Sequence, residues 1–117
     1  MTSEELQDRT RKFALDTVKF VAALPKSKVT DVLGYQLLKS ATSVGANHRE
    51  AVHAESRADF IHKMNVVEKE AAETVYWLEL CRDSSTGAST TLNPLLKESR
   101  ELLAIFTATC RTAKRRS

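Results

Sequence analysis

The side chains able to ligate a metal or act as nucleophiles are three histidines, two cysteines and fifteen carboxylates, and their spacing decides what they can do. Glu50 and His53 stand three apart, the ligand spacing of carboxylate-bridged di-metal bundles, and Asp59 with His62 repeats it in degenerate form. On a helix turning about 100° per residue, the apolar stripe here centres near Ala51, with Asn47 and Ala54 beside it. Glu50 then falls on the flank of that stripe and His53 points away from it. Both pairs also sit beside residues 55–56, at a bundle end, and no inward glutamates on the first and fourth segments match them. No metal site and no cofactor are expected. Cys81 and Cys110 fall near the C-terminal ends of consecutive antiparallel segments, hence at opposite ends of a bundle. A disulfide needs Cα atoms within about 7 Å, so the two are expected to stay free. There is no CxxC, glycine-rich phosphate loop or nucleophile elbow. His48, His53 and His62 have no serine or cysteine on a common face, so nucleophilic catalysis is not expected either.

Charge supplies the remaining chemistry. Arg111, Lys114, Arg115 and Arg116 account for the net charge of +3, since residues 1–110 sum to −1. Such a cluster can track phosphates, with affinity that falls as salt rises. It can equally complement a helix dipole and keep the chain end soluble. No aromatic residue is interleaved with it, so base stacking is not indicated.

Four helical segments position these groups. The first is expected over residues 3–24: Thr2 and Glu5 have capping-box spacing, and Pro25 stops the helix. Leu6, Thr10, Phe13, Thr17, Phe20 and Leu24 share its inner face. The second is expected from Thr30 or Asp31, with Leu33, Leu37, Ser40, Val44, Asn47, Ala51 and Ala54 inward. Gly45 in its interior costs about 1 kcal/mol relative to alanine, which points to close approach by a neighbouring helix or subunit. Asn47, on the inward stripe, reads as a structural hydrogen bond fixing helix register, with a ligand contact as the alternative.

Ser56 opens the third segment, whose stripe is Phe60, Met64, Val67, Ala71, Thr74 and Leu78. Over residues 75–81 only Glu79 is polar, so this helix is expected to be buried on more than one side, by a neighbouring subunit or by a folded-over loop. Residues 83–91 read as the one true linker. Asn93 and Pro94 then read as a helix start, followed by Leu95, Leu96, Leu102, Leu103, Phe106 and Cys110. Short connections between segments of similar length predict an all-α, antiparallel up-down-up-down four-helix bundle over residues 1–110, with a basic C-terminal tail at 111–117.

Composition narrows the class. The hydrophobic fraction of 42% is that of a globular chain, and three glycines with two prolines are too few for a β-sandwich. No apolar run is long enough to span a membrane, and residues 1–11 lack the apolar region of a secretory leader. A cytoplasmic setting with reduced thiols is expected.

Specific stretches carry a family resemblance. Gln36, Leu37, Leu38, Lys39, Ser40, Ala41, Thr42, Ser43, Val44, Gly45, Ala46 and Asn47 lead into Arg49, Glu50 and Ala51. After Ser56 come Asp59, Phe60, Ile61, His62, Lys63 and Met64, then Glu68 to Thr74 and Tyr76, Trp77 and Leu78. This pattern resembles the bacterial four-helix bundle proteins also called 23S rRNA intervening-sequence proteins, over about residues 10–110. The resemblance implies a bundle assembling with copies of itself into a pentameric ring, without catalytic activity. Some members are encoded within insertions in 23S rRNA genes, which suggests a link to RNA. A related protein, the accessory variability determinant of diversity-generating retroelements, is a strongly basic pentamer that binds a reverse transcriptase and nucleic acid. The near-neutral body of this chain departs from it. The family's shared positions map to Ser40, Asn47, Glu50, Ser56, Lys63, Glu70, Glu73 and Trp77, which read as capping, packing and interface residues. Lys63, Glu70 and Trp77, spaced by seven, form one strip with neighbouring Tyr76, expected to contact another subunit. The expectation is a homo-oligomeric, non-catalytic scaffold that associates with RNA. The competing readings are a di-metal carboxylate bundle enzyme and an adaptor that binds only protein.

Overall fold

Capping side chains set where the helices begin. The computed structural model describes residues 1–116 as α1 (Ser3–Ala22), α2 (Lys28–Val52), α3 (Arg57–Asp83) and α4 (Ser89–Arg115). Thr2 accepts from the Glu5 amide at the start of α1, and Ser56 accepts from the Asp59 amide at the start of α3. Ser27 and Thr30 exchange side-chain and backbone bonds as a full capping box. That box starts α2 at Lys28, ahead of the expected Thr30 or Asp31. Thr30 is therefore the third helical residue and its hydroxyl serves the cap. At the other end of α1, Ala22 is the last helical residue, two short of expectation. The proline at 25 disfavours helical backbone in the residue before it, and the Leu24 amide turns back to the Val21 carbonyl.

The largest difference lies at α4. It begins at Ser89, not at the Asn93–Pro94 pair, and Pro94 sits inside it. Leu92 is 1% exposed, so extending the helix backwards buries a leucine. Pro94 deprives only the Thr90 carbonyl of a donor, and both residues are exposed, where water can serve that oxygen. The linker shrinks to residues 84–88. It opens as a Schellman turn: the Thr86 amide reaches the Cys81 carbonyl at 2.8 Å and the Ser85 amide the Arg82 carbonyl at 3.2 Å. Ser85, at φ 55°, occupies the left-handed position that glycine usually takes.

Backbone packing joins α1 to α2, α2 to α3, α3 to α4 and α4 to α1, the closed cycle of an antiparallel up-down-up-down bundle. The molecule measures 45 × 23 × 20 Å. Phe13, Phe20, Leu37, Val44, Met64, Val67, Leu78, Leu102 and Phe106 form the core, with Thr10, Thr17, Ser40, Thr74 and Ser99 buried among them. Thr10 and Thr17 return their protons to carbonyls of their own helix, Gln7 and Phe13, so burial leaves neither hydroxyl unpaired. Ion pairs tie the outside of three seams: Arg9 to Glu98 and Glu101 (α1–α4), Lys63 to Glu50 (α2–α3) and Arg100 to Glu79 (α3–α4).

The α1–α2 seam depends on glycine, though chiefly on a different one from that expected. A Cβ on Gly34 would lie 3.1 Å from Val21 Cγ1, whereas one on Gly45 would meet Thr10 at 3.5–3.6 Å, ordinary contact distance. Gly87, at φ 88°, lies over Phe20, whose Cζ would be only 2.5 Å from an added Cβ. Alanine at these positions should therefore act with opposite signs. In urea unfolding, Gly45→Ala is expected to gain about 1 kcal/mol from helix propensity. Gly87→Ala is expected to lose about 1–3 kcal/mol from backbone strain, with further loss from the clash.

Candidate functional site

Two features of the bundle are candidates for function: the outer side of α3, and the cationic end of α4. On α3, the heptad positions Lys63, Glu70 and Trp77 turn toward the seam with α2. Lys63 Nζ donates to Glu50 at 3.1 Å. Trp77 is half-buried and packs against the core. Burial, aided by the nearby charge of Glu73, pushes the Glu70 carboxyl above the usual carboxylate range, while Lys69 and Lys39 of α2 oppose the shift. Tyr76, by contrast, is 56% exposed and stands edge-on to Trp77, with ring centroids 4.9 Å apart. Of the apolar run at 75–81, Leu78 and Cys81 are in the core, and Val75, Trp77 and Leu80 lean on it.

The polar positions have local roles. Ser40 and Thr74 meet at 3.0 Å inside the α2–α3 seam, and Ser40 is 3.2 Å from the Leu37 carbonyl. Thr74 also lies 2.8 Å from the Glu70 carbonyl of its own helix, so each hydroxyl has both its partner across the seam and a local acceptor. Asn47 is half-buried and donates to the Ser43 carbonyl of its own helix at 2.8 Å, so it does not tie α2 to a neighbour. Its expected place on the inward stripe is taken by His48. The steps 44, 47, 51 and 44, 48, 51 both fit a helical stripe, and packing chose the second.

His48 is 4% exposed and its ring tilts against Phe106 of α4, with centroids 5.6 Å apart. Its Nδ1 is buried without a hydrogen-bond partner. Glu50 is held by Lys63, and His53 is the exposed C-cap residue of α2. Among the described residues no three His, Cys, Asp or Glu side chains converge as a metal site requires. Both cysteines are free and buried. Burial raises the Cys81 thiol pKa, and burial with Glu68 nearby pushes the Cys110 thiol up to about 11. Cys110 donates to the Met64 carbonyl at 3.3 Å, so neither thiol is poised as a nucleophile.

At the far end, α4 runs through the cationic segment. Arg111, Lys114 and Arg115 are helical and exposed, and Arg116 is the exposed C-cap residue. The segment expected as a tail beyond the bundle is thus a continuation of its fourth helix as far as Arg115, capped by Arg116; Ser117 lies outside the described residues. Arg57, in the first turn of α3, reaches across to donate to the Ala113 carbonyl at 3.1 Å. It adds a cation that the linear sequence leaves more than fifty positions away. No described helix is long and apolar enough to cross a membrane.

This arrangement is that of an all-α bundle with a packed core, paired seams and a cationic end. Residues 3–108 match the family described as 23S rRNA-intervening sequence protein, and the chain belongs to that family. It is also similar to a solved structure from Bacteroides thetaiotaomicron VPI-5482, a protein of unknown function from the S23 ribosomal protein family. The two are 35% identical, with a TM-score of 0.85, over 95% of this chain and 99% of that one. No curated protein matches. The cationic end lies outside the matched span, so its chemistry is argued from this chain's own residues.

His48 makes stability depend on pH. Desolvation holds its pKa below the ordinary value, so the folded protein resists a proton that the unfolded chain accepts near pH 6.5. Stability is therefore full above about pH 6.5 and is lost as pH falls toward the folded pKa, by at most about 1.4 kcal/mol per unit. Glu70 acts in the opposite sense at lower pH. Urea unfolding should show the decline between neutral and mildly acidic pH, and His48→Leu should flatten it.

Proposed function

We propose that the chain is a non-catalytic, cytoplasmic scaffold that assembles with copies of itself into a ring of five and holds RNA at its cationic end. The observation that carries the assembly is the exposed Tyr76 ring beside Trp77, on a helix whose inner face is already filled by the core. Val29, Val32 and Tyr35 of α2 are also more than half exposed. The Ser40–Thr74 and Glu50–Lys63 contacts place that start of α2 at the same end of the bundle as Tyr76. An apolar surface of this kind suits a partner more than open solvent. Lys63, Glu70 and Trp77 then support the surface from the seam beneath it. The RNA reading is supported by membership of a family named for 23S rRNA and by four exposed cations within six positions, Arg111 to Arg116. Repetition of that end around a ring would raise avidity. The absence of catalysis is supported by the inert thiols and by the engagement of Glu50 with Lys63.

Solution mass tests the assembly: five times the chain mass of 13.1 kDa is expected. Tyr76→Glu should convert that species to smaller ones while the helical circular dichroism persists; a wild-type monomer would overturn the assembly. RNA association is read from the salt dependence of binding to single-stranded RNA. Each phosphate contact contributes a slope of about −0.7, so replacing Arg111, Lys114, Arg115 and Arg116 by glutamine should reduce the slope by up to about 3 per subunit engaged. An unchanged slope would overturn the role of these four cations.

A further inference from the structure

Arg9 pairs with Glu98 and Glu101, which places Ser3, the first residue of α1, near the level of residues 104–107 of the antiparallel α4. Helix α4 continues to Arg115, roughly 12 Å farther at 1.5 Å per residue. The side of α4 that would face α1 is therefore uncovered at this end. It forms a groove of about 360 Å³ with the first turn of α3, lined by Arg57, Phe60, Thr109, Thr112, Arg116 and two alanines. That volume lies within the range of about 300–1,000 Å³ usual for small-molecule sites.

The chemistry of this lining differs from that of the groove between α1 and α4, and two arginines distinguish it from the groove at residues 84–88, which has one cation, Lys19, among the described residues. The groove of about 480 Å³ between α1 and α4 also carries cations, but Glu98 and Asp16, which pair with Arg9 and Lys12, line it with them. No carboxylate lines the end groove among the described residues, and two guanidinium groups flank a phenyl ring there. Arg57 spends one N–H on the Ala113 carbonyl, and a guanidinium has five. Thr109 donates its proton to the Ile105 carbonyl, which leaves its oxygen as an acceptor. The acidic first turn of α1, with Glu4 and Glu5, directs a polyanion away from α1 and along the end of α4, where Arg111, Lys114 and Arg115 lie.

We infer that this groove is a nucleotide subsite for single-stranded RNA, in which Arg57 and Arg116 hold a phosphodiester and a base stacks on Phe60. The inference deepens the RNA reading above and rests on it. It supplies the aromatic platform that the cationic segment itself lacks, from a helix fifty residues earlier in the chain. Cations flanking a stacking ring are the recurring arrangement for single strands, with little sequence preference.

The test uses the full chain and a short fluorescent oligouridylate, with inorganic polyphosphate as a second probe that has phosphates and no bases. Phe60→Leu, which keeps apolar packing, is expected to weaken oligouridylate binding about five- to hundredfold with an unchanged salt slope. Phe60→Tyr, which keeps a ring, should retain binding. Arg116→Gln should lower the slope by about 0.7, and polyphosphate should bind Phe60→Leu and wild type alike. An equal loss for polyphosphate means that Phe60 acts only through the fold, and overturns the stacking contact. If Phe60→Leu and Arg116→Gln bind oligouridylate as wild type does, the groove is overturned and the RNA reading stands. If wild type fails to bind oligouridylate at low salt, the RNA reading falls with it.

Discussion

Ser40 and Thr74 meet at 3.0 Å inside the bundle, and that contact fixes how far α3 is slid along α2. Each hydroxyl also has an acceptor in its own helix, Leu37 for Ser40 and Glu70 for Thr74, so the register rests on the close fit of two small buried side chains and leaves neither polar group unpaired. Ten residues toward the C-terminus of α2, the same register brings Glu50 opposite Lys63. In the other direction it sets Trp77 against the core and leaves Tyr76 on the outside. Small residues of α2 serve both of its seams: Ser40 meets Thr74 of α3, and Gly34 and Gly45 face Val21 and Thr10 of α1. The remaining seams are bridged outside by arginine–glutamate pairs.

A second constraint is the unequal length of the helices. α1 has 20 residues and α4 has 27, so these two antiparallel neighbours, held in register by Arg9 with Glu98 and Glu101, cannot be flush at both ends. The excess appears at the cationic end. Arg57 bridges it by donating to the Ala113 carbonyl, late in α4. A helix end that outruns its neighbour exposes one flank of backbone and side chains. Here that flank is rich in cations and short of acids.

Much of this was legible in the linear pattern. The inner stripes of α1 and α3 can be read from spacing alone, and Ser56 and Thr2 announce their helices because a hydroxyl in that position satisfies an orphan amide. Other features were not legible because they depend on choices between locally equal alternatives. Asn47 and His48 fit the stripe of α2 equally well, and only packing against Phe106 selects the histidine. Asn93 and Pro94 make a better local helix start than Ala88, which caps nothing with its side chain. Burial of Leu92 outweighs that preference, as tertiary contacts often override local propensity. Gly45 stands out by its position within a helix, yet Gly34 is the more closely approached, with Val21 at 3.1 Å from an added Cβ against Thr10 at 3.5 Å from one on Gly45.

The sequence by itself determined the class of fold, the four helices, most of the core and the concentration of positive charge at 111–116, because periodicity, capping and net charge are properties of neighbouring residues. It also determined membership of the 23S rRNA-intervening sequence protein family, through the stretch from Gln36 to Leu80. Only the tertiary structure decided which α3 side chains face the α2 seam and which face outward. It alone brought Arg57 and Phe60 beside Arg116, and buried His48 with an unpartnered nitrogen. Those outcomes depend on register and on relative helix length. Both are set by contacts between residues far apart in the chain, where spacing along one helix carries no information.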